Sequence, residues 1–68
     1  MSDTNTTASA AHKQAASEHE ACAKHHTHAA ACHDGNKVDE AKVSSKSAMT
    51  CFDTASMHTV TACECSTK

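Results

Sequence analysis

Imidazole and thiol groups recur in this chain at a helical interval. His12, His19, His26 and His33 fall at every seventh position, and Cys51, His58 and Cys65 repeat the interval further on. Seven residues make nearly two turns of α-helix, so each series stays on one slowly drifting face and forms a stripe of potential ligands. The chemistry such stripes offer is coordination of a soft or borderline metal. Imidazole nitrogen and thiolate sulfur suit Zn²⁺ or Cu(I), whereas Mg²⁺ and Ca²⁺ favour oxygen.

Within the first stripe His19, Cys22 and His26 are spaced i, i+3, i+7 and share a face, as ligands drawn from one helix must. With a turn at Gly35, antiparallel helices bring His19 and Cys22 to the level of Cys51. A Cys2His2 set of His19, Cys22, His26 and Cys51 is therefore predicted, and His12 falls level with His58 as a second inter-helix pair. Cys63 and Cys65 form a Cys-x-Cys at a fraying helix end, where two thiolates suit Cu(I). The predicted metal residues are thus His12, His19, Cys22, His26, Cys51, His58, Cys63 and Cys65. Cys32 faces the level of Asp39 and is expected to be silent. The alternative is a helical module whose exposed histidines only tune charge: protonating all seven would add seven positive charges to a formal net charge of −2.

The elements that must position these groups are legible in the same residues. The segment from Ala8 to Asp34 is rich in alanine, the strongest helix former. Its 3,4-spaced seam is Ala8, Ala11, Ala15, Glu18, Cys22, His25, Ala29 and Cys32. Gly35, the one glycine, suits the left-handed position after a helix, and Asn36 suits the N-cap of the next, with Asp39 and Glu40 in its first turn. The second helix is expected over 37–64, with a seam of Val38, Ala41, Ser45, Ala48, Phe52, Ala55, Thr59 and Ala62. Polar residues 1–7 are expected as a disordered leader and 65–68 as a frayed tail. The predicted fold is all-α, an antiparallel helical hairpin over 8–64.

Sixty-eight residues without Leu, Ile, Trp or Tyr make a poor core. Val38, Val43, Met49, Phe52, Met57 and Val60 are the larger apolar side chains. Burying each stabilises by roughly 1.5–3 kcal/mol at most, against ~1–2 kcal/mol of backbone ordering per residue. A second copy, completing a homodimeric four-helix bundle, is the predicted remedy. Six lysines spread along the chain make no basic cluster, which argues against a nucleic-acid partner. No apolar run reaches the ~20 residues needed to cross a bilayer, and MSDTNTTA is not a secretion signal. Five cysteines, an odd number, fit a reducing compartment, so a cytoplasmic location is expected. Catalysis is not expected, since two thin alanine-rich helices lack a concave apolar wall to hold a substrate.

From His12 onward, HKQAASEHEACAKHHTHAAACHDGNKVDEAK resembles a group of small bacterial Ala/His-rich proteins. In these, repeated (H)H-x2-AA-x-HH units lead into a G-x4-A turn and a second helix. The resemblance runs from His12 to Ala62 and rests on His12, Ala15-Ala16, His19, His25-His26, Ala29-Ala30, Gly35, Ala41, Ala55 and His58. It implies a helical hairpin and no particular activity. More loosely the chain is similar to cysteine-rich four-helix-bundle copper-storage proteins, although their Cys-x3-Cys repeats are absent. Cys22 and Cys32 also resemble half of a twin Cys-x9-Cys hairpin. The matching framework, Cys22–Cys63 with Cys32–Cys51, needs a turn near residue 42, within a good helical segment. A single Cys22–Cys51 disulfide fits a turn at Gly35 better.

Overall fold

Two helices account for almost the whole chain. The computed structural model describes residues 2–67, in which α1 spans Ser2–Asp34 and α2 spans Val38–Ser66, with no strand among the described residues. At ~1.5 Å per residue, the 33 residues of α1 reach ~50 Å. The Cα envelope of 53 × 14 × 11 Å is accordingly that of two long helices lying side by side. No described helix is long and apolar enough to cross a membrane.

Helix α1 starts at Ser2 rather than Ala8, so much of the expected leader is helical. The physical reason is propagation: without Gly or Pro before Gly35, each added residue gains a helical hydrogen bond at little cost. Likewise α2 continues past Glu64 to Ser66. The Thr67 amide donates to the carbonyls of Cys63 and Glu64, and its hydroxyl donates to the Glu64 carbonyl at 3.0 Å, closing the last turn. Met1 and Lys68, the outermost residues of the expected leader and tail, lie outside the described residues.

The turn, residues 35–37, is one residue longer than expected, and its residues exchange roles. The Lys37 amide donates to the Cys32 carbonyl at 2.7 Å and the Asn36 amide to the His33 carbonyl at 3.0 Å, the paired bonds of a Schellman motif. Asn36 takes the left-handed position, with φ 59°, while Gly35 has no positive φ. Asparagine tolerates that conformation better than most residues. Because Asn36 closes α1 it cannot also cap α2, whose N-cap is Lys37 with no side-chain bond. Asp39 and Glu40 still place negative charge in the first turn of α2.

The core is a line of small side chains. Ala41, Ala48, Ala55 and Ala62, one per heptad, are at most 3% exposed, and they face Ala15, Ala29 and Cys32 of α1. The α1 seam matches the predicted one: Ala8, Ala11, Glu18, Cys22 and His25 are half-buried beside those three. The α2 seam does not. Its alanine row is as predicted, but the second row is Ser44, Cys51, His58 and Cys65, while Val38, Ser45, Phe52 and Thr59 are exposed. Phe52 in the seam would prop the helices apart along their length. Small residues in both rows let the backbones approach, and many weak dispersion contacts outweigh the ~1.5–3 kcal/mol of one buried aromatic.

Candidate functional site

Rotation of α2 about its axis carries the Cys51, His58, Cys65 stripe into the seam. Cys51 therefore meets α1 at mid-hairpin. Its thiol donates to the main-chain carbonyl of Glu18, one turn before Cys22, at 3.3 Å. Cys22 stands beside it, and both are half-buried. Hydrogen bonding with Cys22, then burial, then the negative charge that Cys22 and Glu18 can carry, push the Cys51 thiol from its ordinary 9.0 up to about 11.

The histidines predicted to join them point elsewhere. His12 and His19 belong to a row on the flank of α1, where each meets a hydroxyl of α2. The His12 ring nitrogen Nε2 lies 2.7 Å from Ser66 Oγ, and that of His19 lies 2.8 Å from Thr59 Oγ1. His26, next in the row, lines an open groove with Ser45, Ala48, Met49 and Phe52. Of the predicted Cys2His2 set, then, the structure brings Cys22 and Cys51 together and holds His19 on Thr59, with His26 at the groove. His12 pairs with Ser66 instead of His58. Cys63 is exposed and Cys65 half-buried, and all five thiols are free. Among the described residues no three His, Cys, Asp or Glu side chains converge into a metal-holding group. The i, i+7 spacing kept the histidines on one face, but that face borders the seam.

A second cluster, near the turn, was missed. His28 Nδ1 is hydrogen-bonded to Ser44 Oγ, and Ser44, 6% exposed, is the buried polar residue of the core. Cys32 Sγ lies 3.8 Å from each ring nitrogen of His28. The signal available in the sequence was the i, i+4 spacing of His28 and Cys32, which a heptad search passes over.

The chain has no match among known protein families, curated proteins or solved structures, so its function must be read from these residues themselves.

Proposed function

We propose that the hairpin binds Cu(I) between the thiolates of Cys22 and Cys51 and serves as a small, non-enzymatic buffer or carrier for that ion. The observation that carries this reading is the meeting of the two thiols across the seam. Cu(I) accepts two thiolates, whereas a structural zinc site asks for four ligands, and His19 and His26 are directed elsewhere. Each Cu(I) displaces both thiol protons and leaves a two-sulfur site with one net negative charge. A reducing compartment such as the cytoplasm keeps the thiols available.

Titration of reduced protein with Cu(I) against a competing chelator tests the reading. Cys22→Ser and Cys51→Ser should each remove the tightest equivalent, the double variant should lose little more, and Cys32→Ser should leave that equivalent in place. Retention of the tightest equivalent in the double variant, with loss on Cys63→Ser or Cys65→Ser, would instead assign it to the Cys-x-Cys end.

A second reading, association of two hairpins into a four-helix bundle, is favoured by a specific observation. The six larger apolar side chains of α2 are all more than half exposed, from Val38 at 51% to Met57 at 72%. Helical geometry puts Val38, Met49, Phe52 and Val60 within one arc of α2, beside the groove at His26. A second copy covers that stripe with its own. Sedimentation of reduced, metal-free protein should show a concentration-dependent dimer that Phe52→Ser abolishes, and a monomer at every concentration refutes it.

A further inference from the structure

Helix α2 carries a second seam beside its alanine row. From Val38 through Met49 and Phe52 to Cys63, every position of a continuous 4,3 alternation is exposed. That spacing is the one by which a helix presents an unbroken stripe to a partner helix, and at ~1.5 Å per residue this stripe is about 38 Å long. Its large apolar side chains stand at the middle, with Met49 63% and Phe52 58% exposed, and the hydroxyls of Ser45 and Ser56 lie to either side. Met49 and Phe52 also line, with His26, an open groove of about 350 Å³.

Charge follows the edge of the stripe remote from the alanine row. Lys46 and Asp53 stand there, both exposed, one heptad apart and opposite in sign. An antiparallel copy of α2, related by a two-fold axis between Met49 and Phe52, sets Met49 against the partner's Phe52 and Ser45 against the partner's Ser56. The same axis brings Lys46 beside the partner's Asp53 and Asp53 beside the partner's Lys46, as flanking positions of antiparallel helices meet. Moving the axis half a heptad destroys the match. In one direction Lys46 then meets the partner's Lys46, and in the other Asp53 meets the partner's Asp53. A parallel pairing sets Lys42, which lies on the stripe, against the partner's Lys42 and leaves Lys46 and Asp53 facing the alanine edge. Like charges brought together suppress these alternatives.

We propose that α2 is the dimerisation element, pairing antiparallel with α2 of a second copy about a two-fold axis between Met49 and Phe52, with two Lys46–Asp53 ion pairs setting direction and register. This inference rests on the four-helix-bundle reading and adds which helices meet, which way they run and at what level. The apolar middle supplies the attraction, and the ion pairs at its edge select one arrangement.

The test uses two full-length variants, Lys46→Glu and Asp53→Lys, both of which place a strong helix former at an exposed position. Each alone turns both ion pairs into like-charge contacts and should weaken dimerisation of reduced, metal-free protein by roughly tenfold or more. Mixed in equal amounts, the two chains regain an opposite-charge contact at both places. Sedimentation should then show a heterodimer tighter than either variant alone, a difference that 1 M NaCl largely removes. Native-like association of each variant, or a mixture no tighter than its components, overturns the arrangement while leaving the dimer itself standing. A native chain that is monomeric at every concentration overturns both. If either variant loses helicity, Lys46→Gln takes its place: a weakening of about threefold is expected, and unchanged association overturns the proposal.

Discussion

The seam and the flank of this hairpin invert the usual relation between size and burial. Alanines at 41, 48, 55 and 62 lie at 0–3% exposure, while Phe52, a single residue after the seam position Cys51, is 58% exposed. In most domains the large apolar side chains are buried and supply the hydrophobic stabilisation. Here the seam is built of small residues that let the backbones approach, and the larger side chains stand exposed on the flank. One helix thus carries a buried row of small residues and an exposed row of large ones side by side.

The largest effect that could break this contrast is overfilling the seam. Ala55→Leu should destabilise the hairpin by about 1–3 kcal/mol, because Ala55 is fully buried and the helices must separate to admit the larger side chain. Phe52→Ala on the flank should change the stability of the isolated hairpin by no more than about 0.5 kcal/mol. Thermal unfolding followed by circular dichroism, at concentrations where the chain is monomeric, measures both. Equal losses would mean that Phe52 packs within the hairpin after all.

The turn decides which face becomes the seam, and its two central residues should respond in opposite directions. Asn36→Ala forces an alanine to φ near 59° and should cost about 1 kcal/mol. At Gly35 an added Cβ meets nothing nearer than the Ala31 carbonyl at 3.5 Å, and φ is not positive. Gly35→Ala should therefore be neutral or stabilise by up to about 1 kcal/mol. Denaturant midpoints of the two variants give the comparison, and greater sensitivity at Gly35 would transfer the left-handed role back to it.

The smallest effect sharpens the mid-hairpin site. Cys51 holds its proton more tightly in the folded chain, to about 11, than its ordinary 9.0. The folded state thus binds more protons than the unfolded state in that interval, and stability must fall as pH rises through it. The contribution is fully present below pH 9 and gone above about 11. Melting temperatures of reduced protein measured across this window should decline more steeply for the native chain than for Cys51→Ser. Parallel slopes would show that Cys22 and Cys51 do not interact.

Legibility followed what each row has to accommodate. The α1 seam could be read in full because every 3,4-spaced position from Ala8 to Cys32 is small or tolerates partial burial. In α2 the alanine row was equally clear, but its partner row could be drawn through Phe52 or through Cys51, and hydrophobicity pointed to the wrong one. Close packing selected the smaller residue. The adjacency of Cys22 and Cys51 survived because it depends on axial level, which the position of the turn sets. The placements of His19 and His26 depend on angle about the helix axis, and a heptad pattern does not say which face carries the contact. His28 and Ser44 went unread for a related reason: a serine among alanines looks like filler until an imidazole is found opposite it.

A seam of near-identical alanines is also a smooth track. Side chains that repeat every seven residues offer almost the same fit after a slip of one heptad, so apolar packing alone fixes the spacing of the helices better than their axial alignment. In coiled coils a single polar pair can set alignment where the apolar positions leave it open. Of the cross-helix bonds His12–Ser66, His19–Thr59 and His28–Ser44, the first two are one heptad apart and would re-form as His19–Ser66 and His26–Thr59 after such a slip, whereas His28–Ser44 is available in one alignment only. The consequence is mechanical: the short turn and the His28–Ser44 bond act together as the pawl on that ratchet, and they keep the thiols of Cys22 and Cys51 opposite one another.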